Sequence, residues 1–248
     1  MNKKMGVVLW SIILTAAVIV FLTLLFGDLK GDEENMTREW VFTESIQKLD
    51  IEWVSGNVNL NRWDGEGIKV VQTSWGNFSE KQILKADITG GTLKIRDGRR
   101  GFHLFSFGGT NLDIYVPNQS FEAMDLDSVS GDINGTALDI SRINVKSVSG
   151  SVHLSGAFAE VQVDTTSGSV TLTSETMLER MGLKAVSGSL TIMIPENDGF
   201  TLNFDKVSGS YSTDFNCSQE NDRYTYKGGG AMFNADVVSG DVKILRLP

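Results

Sequence analysis

Between Asp127 and Gly209 one short phrase keeps returning: Ser128-Val129-Ser130-Gly131, Ser147-Val148-Ser149-Gly150, Thr165-Thr166-Ser167-Gly168, Ala185-Val186-Ser187-Gly188 and Lys206-Val207-Ser208-Gly209. The serines before the glycines are 19, 18, 20 and 21 residues apart, and a sixth copy, Val237-Val238-Ser239-Gly240, follows after a longer gap. A period near 20 residues makes each unit one turn of a stacked structure, because a unit this short cannot bury an apolar face by itself.

Aligned on that phrase, the units separate into columns. An apolar pair two residues apart precedes it: Met124/Leu126, Ile143/Val145, Val161/Val163, Met181/Leu183, Leu202/Phe204. Another alternating pair follows it, as in Val152/Leu154, Val170/Leu172 and Leu190/Ile192. Alternation with period two is the strand signal. The step of three from the first pair to Val129, Val148, Thr166, Val186 or Val207 reads as a bend, which places that column in the core with the pair. Glycine at the bend supplies a conformation that a Cβ would penalise. The expected architecture is all-β: a single-stranded parallel β-solenoid of about 20 residues per turn, with regular turns over residues 121–212. Only Ser174–Met181 has the makings of a helical turn, at a corner.

The residue after each first apolar pair reads Asp127, Lys146, Asp164, Lys184, Asp205. Stacked at ~4.8 Å per turn, these charges alternate in sign along one outer face. Each exposed pair contributes only ~0.2–1 kcal/mol, but skipping a turn would set Asp on Asp, so the column opposes mis-stacking. Looser copies occur earlier: Leu49–Val58 with Glu52 in the charge column, and Ala86–Leu93 with one residue missing. Trp53, Trp63 and Trp75 are expected to pack around the N-terminal end, since a solenoid needs a cap. Val242-Lys243-Ile244 reads as a last strand, its edge blunted by Arg246 and Pro248. Residues 212–231, with Gly228-Gly229-Gly230, are the large late insertion.

Val7 to Phe26 is a 20-residue stretch without a charge, enough to span ~30 Å of hydrocarbon as a helix. Lys3 and Lys4 precede it and Asp28, Asp32, Glu33 and Glu34 follow, so the N-terminus is expected inside and the rest outside. The run is too long for the apolar region of a signal peptide and ends Thr23-Leu24-Leu25-Phe26, a poor cleavage site. The expected organisation is therefore a cytoplasmic tip and transmembrane anchor over 1–26, an acidic tether over 27–38, and an extracytoplasmic solenoid over 39–248. The formal charge of −9 becomes −11 once Lys3 and Lys4, the charges before Asp28, are set aside. Such a field repels nucleic acid. Cys217 is the single cysteine, so no intrachain disulfide forms.

Catalytic signals are lacking. The two histidines, His103 and His153, have no cysteine or histidine at metal-binding spacing, and no nucleophile elbow, phosphate loop or metalloprotease motif occurs. His153 alternates outward between Val152 and Leu154. No catalytic residue, metal or cofactor is expected. One segment departs from the acidic background: Arg96, Arg99, Arg100, Phe102, His103, Phe105 and Phe107 interrupt the strands over residues 96–109, bracketed by glycines. Basic and aromatic residues together suit a protein partner, an anionic wall polymer or lipid headgroups; alternatively, the phenylalanines pack on the solenoid flank while the arginines balance its acidity.

The hydrophobic N-terminus, the Leu49–Val58 opening, Leu112-Asp113-Ile114-Tyr115-Val116-Pro117, the serial Val-Ser-Gly units and Met193-Ile194-Pro195 together resemble the bacterial putative-adhesin β-repeat family. Within it the chain is similar to LiaG-like membrane-anchored proteins of Gram-positive bacteria. The resemblance covers residues 40–247. It implies a right-handed β-solenoid, a role at the cell envelope and association with envelope-stress responses, without catalytic residues to carry over. Two function classes follow: a non-enzymatic envelope protein offering a rigid surface to a protein or wall polymer, with self-association through solenoid ends as a variant, and a wall-polysaccharide enzyme on a β-helix. The register itself is testable: Lys146→Asp with Lys184→Asp lowers the melting temperature and slows refolding, and melting with the parent would show that these columns do not stack.

Overall fold

The computed structural model describes residues 35–75, 82–98 and 109–247, and among them there are nineteen strands and no helix. The expected anchor, residues 7–26, lies outside the described residues, and no helix among those described is long and apolar enough to cross a membrane. In chain order the strands are β1 (Asn35–Phe42), β2 (Lys48–Ser55), β3 (Val58–Trp63), β4 (Ile68–Trp75), β5 (Lys85–Thr89), β6 (Thr92–Arg96), β7 (Thr110–Pro117), β8 (Phe121–Ser130), β9 (Ile133–Ser149) and β10 (Val152–Ser167). They continue with β11 (Val170–Ser174), β12 (Arg180–Ser187), β13 (Leu190–Ile194), β14 (Gly199–Ser208), β15 (Tyr211–Thr213), β16 (Cys217–Glu220), β17 (Arg223–Lys227), β18 (Ala231–Ser239) and β19 (Val242–Arg246). The first strand takes in residues 35–38, which the sequence reading placed in the tether.

Each repeat is one turn with two faces. On the first face the order is β5-β6-β2-β8-β9-β10-β12-β18-β14-β17-β16, and on the second β1-β4-β7-β3-β9-β10-β11-β13-β19-β15. The long strands β9 and β10 bend through a corner and so serve both faces. Between the faces the core runs in columns: Ile95, Ile51, Leu126, Val145, Val163, Leu183, Ala235 and Phe204 on one wall, and Leu112, Val58, Ile133, Val152, Val170, Leu190 and Val242 on the other, all buried. The corner is built from glycine because the turns nest there. Gly150 has φ +113°, and a Cβ on it would collide with the carbonyl oxygen of Gly131 in the turn below.

The bend is not where the valine column suggested. Alternation runs on past the apolar pair: Leu126 points in, Asp127 out, Ser128 in and Val129 out. The inward position next to the corner holds Ser128, Ser147, Thr165 and Ala185 in the regular turns, all buried, with the buried Trp53 in register with Ser128. Val129, Val148, Thr166 and Val186 are half-exposed outside, and Val207 is 77% exposed. Ser174–Met181 holds no helix; residues 175–179 turn a corner in which Ser174 Oγ donates to Thr176 O at 2.7 Å and Leu178 is buried.

At both ends spatial order departs from chain order. The first turn, β2–β3, lies between β6–β7 and β8–β9, and the last turn, β18–β19, lies between β12–β13 and β14–β15. The strand at Val242-Lys243-Ile244 is therefore interior rather than a blunted edge, and Pro248 lies outside the described residues. Ala86–Leu93 is not a shortened turn: β5 and β6 form an antiparallel hairpin across Gly90-Gly91, whose φ values of +59° and +73° match the tight hairpin turn that glycine permits. The strand connectivity is thus a parallel β-solenoid finished by antiparallel pieces: β1, β4 and β5 at one end, β16 and β17 at the other.

These pieces are caps. At the N-terminal end Trp53 is buried and its Nε1 donates to Thr110 O at 2.7 Å, while Trp63 lies against Tyr115 with Lys69 Nζ 4.7 Å from its ring. The side chain of Trp75 is outside the described residues. Buried Gln72 ties residues 82–84 to this end, donating to Gln82 O and accepting from Leu84 N. At the other end the 212–231 insertion contains the β16–β17 hairpin, which pairs with Gly199–Asn203 of β14, and Phe200, Phe215, Tyr226 and Phe233 close the core. The hairpin stops short of residues 205–208. There Lys206 occupies the inward column filled elsewhere by Ser128, Ser147, Thr165, Ala185 and Val237; its Nζ donates to Gly209 O at 3.0 Å and lies 5.0 Å from the Phe204 ring. An inward-pointing charge at an open edge is a guard against edge-to-edge pairing. Lys206→Val should produce concentration-dependent species larger than those of the wild type in sedimentation velocity; identical profiles would show that Lys206 does not guard this end.

Candidate functional site

The first face presents several outward columns, one of which is built of charges. The charge column reads Arg96, Glu52, Asp127, Lys146, Asp164, Lys184, Asp236, Asp205. The expected sequence Asp127, Lys146, Asp164, Lys184 is correct in its neighbours, with Lys146 Nζ 3.8 Å from Asp127 Oδ1. The expected next step, Lys184 to Asp205, is not: the inserted last turn puts Asp236 beside Lys184, and Asp205 stacks on Asp236. Burial and then the Asp205 charge push the Asp236 carboxyl up, against the opposing effect of Lys184.

Arg96, read as part of the basic segment, is the end of this ladder. Its Nη2 is 2.7 Å from Asp50 Oδ2 and its Nε 3.0 Å from Glu52 Oε2. The hydrogen bond to Asp50 is the largest influence holding the guanidinium still more firmly protonated. Arg96 is thus a structural residue; the other expected site residues, Arg99, Arg100, Phe102, His103, Phe105 and Phe107, lie outside the described residues. Arg96 pairs with Glu52 and Leu112 with Val58, so thirteen residues, 97–109, lie in sequence between these register points where the neighbouring turn has only Trp53, Val54 and Ser55 before its corner glycine. Asp97 is buried, its N donating to Glu52 O at 2.9 Å, and a Cβ on Gly109 would lie 2.9 Å from Ser55 Oγ.

The remaining polar side chains mostly hold the stack together. At the corners Asn57 N donates to Asn111 Oδ1, Asp132 N to Asn57 Oδ1 and Ser151 N to Asp132 Oδ1, each within 2.9 Å. On the second face Asn134 Nδ2 donates to Asn59 Oδ1 and Asn59 Nδ2 to Asp113 Oδ1. His153 continues that row between Asn134 and Thr171 and is exposed. Among the described residues no group of His, Cys, Asp and Glu could hold a metal ion. Cys217 is half-buried in β16, its thiol pushed up by burial, with Sγ 3.9 Å from the Tyr211 hydroxyl.

One polar cluster was not anticipated. Glu196, just after β13, accepts from the Tyr226 hydroxyl at 2.6 Å and from Lys227 Nζ at 2.9 Å, and its other oxygen is 3.1 Å from Arg246 Nη2. These residues are 30 or more positions away in sequence and belong to β17 and β19, so no local spacing announced them. The two hydrogen bonds, then the Arg246 and Lys227 charges, lower the Glu196 carboxyl to about 2.

The model of the Toastrack DUF4097 family matches residues 46–179 and 156–245. The chain belongs to the Toastrack DUF4097 family. This is the putative-adhesin β-repeat family that the Val-Ser-Gly units suggested. No curated protein matches the Toastrack chain. Among solved structures, a "putative cell adhesion protein" from Clostridium sporogenes is similar with a TM-score of 0.55 at 13% identity, covering 86% of this chain and 100% of that one. It shares the fold. A "putative adhesin" from Bacteroides fragilis (TM-score 0.38, 13% identity, 89% and 100% covered) and a "putative lipid binding protein" from Parabacteroides distasonis (0.29, 12%, 89% and 99%) are more distant.

The Glu196 clamp has a pH signature. A carboxylate whose folded value is depressed adds stability above its unfolded value near 4.5, and that stability is lost as pH falls toward about 2. The wild type should therefore melt above Glu196→Gln at neutral pH, with the difference shrinking toward zero between about pH 5 and 2. A difference in melting temperature that is constant with pH would show that the clamp carboxylate is not responsible.

Proposed function

We propose that this Toastrack protein is a non-enzymatic cell-envelope protein, held by residues 7–26 as a single-pass membrane anchor with its N-terminus in the cytoplasm. Its solenoid presents a rigid surface outside the membrane to a protein or wall-polymer partner, and its activity is tied to envelope stress. What supports this reading is the length and composition of the basic, aromatic segment. Most of the outward polar columns are engaged in ladders between turns, whereas between register points shared with the neighbouring turn the chain carries thirteen residues, 97–109, in place of three. Arg99, Arg100, Phe102, His103, Phe105 and Phe107 fall within that segment, in an external region of formal charge −11. A positive, aromatic segment on an acidic body is the composition of an interface hot spot. The likeness in fold to a "putative cell adhesion protein" supports a binding role.

Crosslinking the full-length chain in intact cells, followed by identification of its neighbours, tests this directly. Phe105→Ser with Phe107→Ser should abolish the specific adduct while leaving the melting temperature within about 2 °C of the wild type, less than the shift that ~1 kcal/mol would cause. A large drop in melting temperature would instead assign the phenylalanines to packing on the solenoid flank. Release of soluble fragments from purified cell wall by the same protein would overturn the non-enzymatic assignment.

A further inference from the structure

The last turn of the chain is not the last turn of the stack. The pair β18–β19 is held on both sides, by β12–β13 below and by β14–β15 above. It fits that slot as one more repeat. Ser239 continues the serine column between Ser187 and Ser208, Gly240 nests on Gly188, and Gly209 nests on Gly240. Phe233 stacks on Phe200 with ring centroids 5.1 Å apart, and Asp241 Oδ1 accepts from Ser210 N and Ser210 Oγ at 2.9 and 2.7 Å.

Two features bear on how the slot is filled. The segment is joined to β17 through Gly228-Gly229-Gly230, where Gly228 has open space around it and Gly229 and Gly230 have φ of +82° and +125°. Three consecutive glycines allow the segment to leave and re-enter in more than one direction without backbone strain. The seat is also imperfect, because Asp236 stacks on Asp205. In chain order, β12 to β17 are made before residues 231–247, so the slot is formed of two separate edges that wait for the same segment. An identical slot in a neighbouring molecule accepts that segment with every contact reproduced, which is the condition for low-cost exchange and a recurrent event in repeat proteins.

We propose that residues 231–247 are an exchangeable turn by which two copies of this chain interlock, each filling the other's slot between β12–β13 and β14–β15, with Gly228–Gly230 as the hinge. This is independent of what the 97–109 segment binds.

The test uses the full chain in a Cys217→Ser background. Lys184 and Asp236 are register partners on adjacent strands, at the ~4.8 Å spacing a disulfide can bridge. One copy carries Lys184→Cys and a second, differently tagged copy carries Asp236→Cys. Co-expression should give a disulfide-linked heterodimer at least about 10-fold above a control pair of Lys146→Cys with Asp236→Cys, whose positions are three strands apart. Linkage no greater than the control, with the doubly substituted chain closing its disulfide only within the monomer, overturns the proposal. A second measurement avoids new cysteines: deleting Gly229 and Gly230 should raise the dimer fraction seen by light scattering, because a shortened hinge hinders return to the chain's own slot. Monomers alone from both wild type and deletion would equally overturn it.

Discussion

From Gly131 on, each corner glycine rests against the backbone of the corner glycine of the adjacent turn, and the rest of the molecule follows from that contact. Gly131 lies on Gly56, Gly150 on Gly131, Gly168 on Gly150, Gly188 on Gly168, Gly240 on Gly188 and Gly209 on Gly240, each too close for a Cβ. With the corners superposed, the strands on either side have one register only. A slip by one residue would turn the buried columns to solvent and bring Asp and Lys inside. The corner therefore sets the core columns, the charge ladder and the ends of the stack together.

The same register determines what the surface can do. Stacked side chains meet their equivalents in the next turn, so the outward residues of the repeat satisfy one another: Asn on Asp at residues 144 and 125, Arg on Glu at 180 and 160, Lys on Asp at 146 and 127. Exposed pairs of this kind add little stability singly, but together they specify the order of the turns. The repeat is interrupted in the sequence at residues 97–109 and in the stack at its two capped ends. The caps differ in kind. The N-terminal end is covered by antiparallel strands and Trp53, whereas at the C-terminal end the strand pairing of the hairpin stops at Asn203, aromatic packing continues through Phe204 and Tyr211, and Lys206 stands beyond.

Much of this was legible in the residues. The Ser-Gly interval marked the turns, the alternating pairs marked the buried columns, and the adjacency of Asp127, Lys146, Asp164 and Lys184 followed from simple stacking. Several readings went astray for physical reasons. The valines before Ser-Gly were assigned to the core because an apolar residue three positions on suggests a bend, but the strand keeps its alternation and small residues take the inward place. Ala86–Leu93 imitated a turn because a hairpin has the same alternation and glycine content. Arg96 was grouped with the arginines that follow it, although register pairs it with Glu52. The Glu196 clamp left no trace in the sequence at all, since its members come together only when β17 and β19 are in place.

By itself the sequence determined the repeat, because a period of alternation and glycine is a local property: it follows from what each backbone can adopt and which side of a strand each residue faces. Tertiary structure alone decided the order in which turns stack. Any Ser-Gly corner fits any other, so chain order could not reveal that residues 231–246 enter between two earlier turns and set Asp236 between Lys184 and Asp205. That choice is made by the caps and by the apolar end that each turn must cover, which are long-range contacts with no periodicity of their own.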